Sequence, residues 1–207
     1  NDFFILDSTV PAQVAAVQEE IDLTETLFIV ASKSGSTLEP NCFRQYFFDR
    51  VSKLVGKADA GKQFMAITDP GSKMEEIAKR DGYRHIISGK PDVGGRFSAL
   101  SAFGMAPAAV MGIDNEKFLK RAAEMVRSCR SANPSENPGA MLGSVLGVCR
   151  AAGRDKLTFI AVPELYDLGA WLEQLIAEST GKNGVAIIPV DREPLMPADV
   201  YGSDRVL

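Results

Sequence analysis

Residues 32–37 read Ser-Lys-Ser-Gly-Ser-Thr and follow directly on the apolar run Leu27–Ala31. Four hydroxyl groups can donate to an oxyanion, Lys33 adds a positive charge, and Gly35 lets the backbone approach closely. A strand that ends in such a loop and runs into a helix is a candidate phosphate site, because a helix start offers unpaired N–H groups. The spacing is not that of a P-loop, since no Gly-x-x-x-x-Gly-Lys is present, and a single glycine is too few for a dinucleotide fingerprint. A phosphorylated small molecule therefore fits better than a nucleotide. The same residues also suit a helix start whose hydroxyls serve only as caps.

Two further groups have residue types suited to chemistry. In Gly94-Gly95-Arg96-Phe97-Ser98 a guanidinium projects beside flexible, exposed backbone, an arrangement suited to an anionic substrate or a developing negative charge, or simply to a tight turn. In Trp171-Leu-Glu-Gln-Leu-Ile-Ala-Glu178-Ser-Thr-Gly-Lys182, Gln174 and Glu178 are four apart and share a helix face. Trp171, Leu172, Leu175 and Ile176 form the apolar face. Glu178 lies where the macrodipole disfavours a carboxylate, a setting for a proton-transfer base as well as for a solvated residue before a glycine cap. His85 is the only histidine and reads as an ordinary, partly buried strand residue. One histidine cannot supply a Ser-His-Asp triad or a histidine-rich metal site, and no Asp/Glu cluster has metal spacing.

The elements that must position these groups alternate. Strands are expected at Phe3–Leu6, Leu27–Ala31, Phe64–Thr68 and Arg84–Ile87. Helices are expected at Pro11–Ile21, at about Leu38–Val55, and after Asp69-Pro70-Gly71, where Ser72 and Glu75 form a capping box. This order predicts a parallel sheet flanked by helices on both faces. Helices then follow one another over 98–111, 115–130 and 138–152. A strand at Leu157–Val162, a helix from about Leu168 to Ser179 and one further strand candidate, Val185–Val190, complete the chain. The expected division is a first domain over 1–132, a helical connection over 133–156 and the opening of a second domain over 157–207.

The 207 residues are 45% hydrophobic and 24% charged, with a formal net charge of −4. That balance, without a basic run, argues against nucleic-acid binding, and no apolar stretch has the length of a membrane span. Three cysteines, Cys42, Cys129 and Cys149, read as reduced thiols. The chain starts at Asn1 without Met and ends at Val206-Leu207 where an apolar run starts, so a segment of a longer polypeptide is expected.

Taken together and in this order, Phe28-Ile-Val-Ala-Ser-Lys-Ser-Gly-Ser-Thr, Gly94-Gly-Arg-Phe-Ser-Ala-Leu-Ser-Ala-Phe-Gly and Trp171-Leu-Glu-Gln-Leu-Ile-Ala-Glu-Ser-Thr-Gly-Lys resemble the glucose-6-phosphate isomerase family. The middle of the chain and Val200-Tyr-Gly-Ser-Asp-Arg205 are most similar to the isomerase half of bifunctional transaldolase/glucose-6-phosphate isomerases. The resemblance implies an α/β sugar-isomerase (SIS) fold of flavodoxin-like, three-layer type, built twice in the full enzyme. It implies a cytoplasmic enzyme that interconverts glucose 6-phosphate and fructose 6-phosphate, needs no cofactor or metal and acts as a homodimer. By the same resemblance Ser32, Lys33, Ser34 and Thr37 hold the phosphate, and Gly95 and Arg96 sit by the reacting carbons with Arg96 stabilising an enediolate. Gln174 contacts the sugar and Glu178 shuttles the proton. The family's upstream glycine-rich loop and its downstream histidine and lysine, which serve ring opening, have no match in this chain. Weak phosphosugar binding and low turnover are therefore expected. The competing expectation is a non-catalytic, phosphosugar-binding regulatory SIS module.

Overall fold

The computed structural model describes residues 2–207, which form two compact units divided between Asn115 and Glu116. In the first unit, helix α1 (Pro11–Glu20), strand β1 (Phe28–Ala31), helix α2 (Leu38–Val55) and the single turn α3 (Lys57–Ala60) precede β2 (Phe64–Thr68). Helix α4 (Lys73–Arg80), β3 (His85–Ser88), a 3-10 turn over Gly95–Leu100 and helix α5 (Ala102–Val110) follow. The three strands form a parallel sheet in the order β1-β2-β3, with Phe28 opposite Phe64 and Met65 opposite His85. The α/β architecture with parallel strands expected from the alternating pattern is thus present.

The core follows from strand and helix periodicity. Alternation puts Phe28, Val30, Phe64 and Ala66 on one face. Phe47 and Val51 of α2, with Met74 and Ala78 of α4, bury against that face. Phe28, Phe47, Phe64 and Tyr83 stack or tilt on one another with ring centres 4.8–5.3 Å apart, a geometry that adds to plain area burial. Ile67 points to the other face and is also fully buried, with α5 packed on β2. A central parallel strand covered on both faces has this near-continuous burial.

Local signals set the helix limits. Pro11 opens α1. Ser72 Oγ accepts from Glu75 N at 3.1 Å, while Glu75 Oε2 accepts from Gly71 N at 2.6 Å, so the capping box works in both directions. Three expectations are corrected. Residues 3–6 form no strand: a strand needs a neighbour's ladder, and these residues pair with none, with Phe4 and Ile5 exposed and only Leu6 touching the core. The helix expected over 98–111 is split, because Ser98 Oγ and Ser101 Oγ bond the carbonyls of Gly95 and Ser98 and hold a 3-10 turn ahead of α5. His85 is exposed, being the first residue of an edge strand.

The second unit contains helices α6 (Asn115–Ser128, whose first residue closes unit 1), α7 (Pro138–Ala151) and α8 (Leu168–Thr180). Its short strands β4 (Lys156–Thr158), β5 (Ile188–Val190) and β6 (Arg205–Val206) form a second parallel sheet ordered β5-β4-β6. The segment at 157–162 is paired only as far as Thr158, and β6 lies in a tail whose sequence predicts no strand beyond Val190. Among the described residues no helix is long and apolar enough to cross a membrane, and the three cysteines are free thiols.

Candidate functional site

The Ser32–Thr37 loop leaves the carboxyl end of β1, and its shape is fixed from within. Ser32 is buried; its Oγ accepts from Gly35 N at 3.2 Å and its carbonyl accepts from Thr68 Oγ1 at 2.6 Å. Gly35 has φ +69, and a Cβ there would collide with the Met74 backbone nitrogen, so only glycine lets the loop lie on α4. Asn41, one turn into α2, donates to the carbonyls of Gly35 at 2.9 Å and Thr37 at 2.7 Å.

The exposed rim of the loop is polar. Ser34 Oγ lies 2.7 Å from Ser36 Oγ and accepts from Ser36 N at 3.2 Å. Thr37 is the N-cap of α2 but makes no side-chain capping bond. The hydroxyls of Ser32 and Ser34 are therefore engaged in shaping the loop, whereas that of Thr37 does not cap. The first turn of α2 keeps the uncapped N–H groups that an oxyanion seeks.

Lys33 joins the ends of all three strands. Its Nζ donates to Asp69 Oδ1, just past β2, at 2.8 Å, and to the carbonyl of Lys90, just past β3, at 2.9 Å. It also lies 5.4 Å from the ring centre of Phe103 in α5. The second sequence group starts four residues beyond Lys90. Gly95 opens the 3-10 turn, nothing lies within 4 Å of where its Cβ would be, and the Arg96 guanidinium lies 5.8 Å from the centre of the Phe97 ring. Gly104 closes this group, because a Cβ there would run into the Ala99 carbonyl, where α5 folds back on the turn. Lys33 thus ties the hydroxyl loop to the start of the segment that leads to Gly94 and to Phe103 of α5.

The third group forms α8 in the second unit. Gln174 Nε2 donates to Glu178 Oε1 at 3.1 Å, the i,i+4 contact expected of a shared face. Leu172, Leu175 and Ile176 are partly buried, but Trp171 is exposed rather than part of the buried face. Thr180 anchors the end of the helix: its Oγ1 donates to Ile176 O at 2.8 Å and accepts from Ile187 N at 3.0 Å, next to β5. Asp69, Asn41, Phe103 and Thr180 are not singled out by the sequence. Asp69 carries only the signature of a turn former, and Asn41 and Thr180 only that of helix residues.

These features define a parallel α/β protein whose hydroxyl-rich loop lies at the carboxyl edge of its first sheet, where open α/β sheets take their ligands. Residues 2–190 match the model of the family described as Phosphoglucose isomerase, and the chain belongs to that family. Among curated relatives, the glucose-6-phosphate isomerase of Methanocaldococcus jannaschii is 31% identical over 191 residues, covering 92% of this chain and 46% of that protein. The probable glucose-6-phosphate isomerase of Methanococcus maripaludis is 33% identical over 190 residues, covering 90% and 42%. A crystal structure of a hypothetical protein from Thermus thermophilus superposes with a TM-score of 0.82 at 28% identity, covering 90% of this chain and 45% of that one. The chain spans less than half the length of each of these.

Proposed function

We propose that this chain carries the phosphate anchor, the enediolate-stabilising cation and the proton-transfer base of an aldose–ketose isomerase acting on glucose 6-phosphate and fructose 6-phosphate. The observation that carries the reading is the Lys33 contact set. It holds the hydroxyl loop against the segment leading to Gly95 and Arg96, on one edge of one sheet.

In this mechanism the phosphate sits on the uncapped start of α2, with the hydroxyls of Ser34 and Thr37 and the N–H groups of the first turn donating to it. Ser32 shapes the loop and Lys33 supplies charge. Glu178 takes the proton from C2 of the open-chain aldose, and negative charge grows on the C1 oxygen. Arg96, beside Gly95, stabilises that oxyanion. Glu178 then returns the proton to C1 while the proton of the C2 hydroxyl passes to the C1 oxygen, which leaves a C1 hydroxyl and a C2 ketone carbonyl. Gln174 orients Glu178 through the hydrogen bond seen on α8 and contacts the sugar. One base and one cation suffice for the isomerisation step, so it needs no histidine. A homodimer is the assembly proposed for the active enzyme.

The test is calorimetric titration of the chain with fructose 6-phosphate and with fructose, and a coupled assay for glucose 6-phosphate on the chain and on Glu178→Gln. The expected result is binding of the phosphosugar alone, with turnover that is low and falls about 100-fold or more in Glu178→Gln, the scale of a lost general base. Equal binding of the two sugars would remove the phosphate anchor, and unchanged turnover in the variant would remove the base.

A further inference from the structure

The opposite, amino edge of the first sheet holds a second cationic hollow, which the isomerase chemistry does not use. A cavity of about 390 Å³ opens between the second half of α2 and the end of α4, lined by Arg44, Phe48, Ser52, Lys57, Arg80 and Asp81 among others. The hollow is open to solvent. Arg44 is the unusual member, since its side chain is only 9% exposed. A buried guanidinium requires full compensation, and here it is incomplete. Asp81 is the facing carboxylate, but it makes a two-bond contact with Arg80, at 2.7 and 2.9 Å, and lies 3.6 Å from Arg44 Nη1, beyond hydrogen-bond distance. The other acidic residue of the lining, Asp49, is paired with Lys53 at 2.6 Å. Arg44 Nε and Ser52 Oγ are buried and have no hydrogen-bond partner among the described residues, and the nearby Tyr83 Oη is in the same state. Two arginines and a lysine therefore share one available carboxylate, next to buried donors that lack an acceptor. Buried donors of this kind are normally satisfied.

We infer that this hollow is a binding site for a compact phosphate group, free or carried on a small organic molecule, distinct from the loop at Ser32–Thr37. The phosphate would pair with the guanidinium of Arg44, which lines the hollow, and with Lys57 and Arg80, completing the charge balance that Asp81 alone leaves open. The hollow and the Ser32–Thr37 loop lie at opposite edges of the sheet, so one phosphate cannot occupy both.

The experiment is calorimetric titration of the 207-residue chain with inorganic phosphate and, separately, with glycerol 2-phosphate, on the parent protein, on Lys57→Gln/Arg80→Gln and on Ser34→Ala/Thr37→Val. Both substituted cations are solvent-exposed, so the folded chain is retained where Arg44→Gln endangers it; circular dichroism checks this. The expected result is affinity lowered about tenfold or more in Lys57→Gln/Arg80→Gln, the loss of charge-assisted bonds, and a site retained in Ser34→Ala/Thr37→Val. Tighter binding of the ester assigns the site to an organic phosphate, and equal binding assigns it to the free ion. No binding to either probe, or binding abolished by the loop variant and untouched by the cation variant, overturns the inference. The isomerase reading is tested separately, with fructose 6-phosphate and Glu178→Gln, so the failure of one reading is distinguishable from the failure of the other.

Discussion

Lys33 and Asp69 form an ion pair at 2.8 Å between the segments that leave β1 and β2, with side chains 23% and 18% exposed. The pair fixes the cation of the candidate phosphate loop in place while offsetting part of its charge. Replacing Asp69 by Asn leaves Lys33 half-buried and unmatched. Stability to urea is expected to fall by about 1–3 kcal/mol, the cost of stranding one member of a shielded pair. The exposed pair of Lys53 and Asp49 is the contrast: Lys53→Gln is expected to cost under about 0.5 kcal/mol. Equal losses in the two variants would show that the Lys33 contact is no more than a surface pair.

Gly35 and Gly71 both have positive φ, at +69 and +74, but only Gly35 lacks room for a side chain. Gly71→Ala is expected to cost about 1 kcal/mol, the strain of the left-handed conformation alone. Gly35→Ala adds the collision with the Met74 backbone and is expected to cost about 2–4 kcal/mol. Urea unfolding of the two variants separates strain from crowding.

Much of the first unit is legible in the sequence because its signals are local. An apolar run that ends in a hydroxyl-rich loop, a Ser72–Glu75 box and a proline at α1 each specify their own backbone. What the sequence hides is what depends on a partner. Phe3–Leu6 is apolar enough for a strand, but no described residue pairs with it, and the short ladder of Arg205 and Val206 exists only because β4 lies alongside. The site divides the same way. The hydroxyls and Arg96 stand out by type and spacing, whereas Asp69 is 36 positions from Lys33 and matters only once two strands lie side by side. Trp171 departs from the expected buried face because helical spacing identifies a face without showing which neighbour covers it.

Tyr83 is buried, and burial pushes its phenol up to about 12, opposed in part by the charge of Arg44. The unfolded chain, with an ordinary phenol near 10, gives up its proton first. Between about pH 10 and 12 the native state therefore binds more protons than the unfolded state, and stability falls as pH rises through that window. In Tyr83→Phe this contribution to the alkaline loss is expected to vanish. Urea midpoints measured from about pH 7 to 11.5 check this. An alkaline loss of the same size in Tyr83→Phe would assign it to another group.

Thr180 closes the helix turn that carries Glu178. Its hydroxyl serves as donor to Ile176 O and acceptor for Ile187 N, so it ties the end of α8 to the segment entering β5. Thr180→Val keeps the shape and removes both bonds, leaving the Ile187 N–H without its acceptor. A loss of about 1–3 kcal/mol is expected from that unsatisfied donor, and Thr180→Ser, which restores the hydroxyl, should recover most of it. Amide hydrogen exchange gives a local readout that overall stability does not. Protection at Ile187 should fall in the Val variant and return in the Ser variant, while Phe64 and Ala66 in the first sheet keep theirs. If Ile187 exchanges equally slowly in all three proteins, the Thr180 hydroxyl is not what fixes the end of this helix.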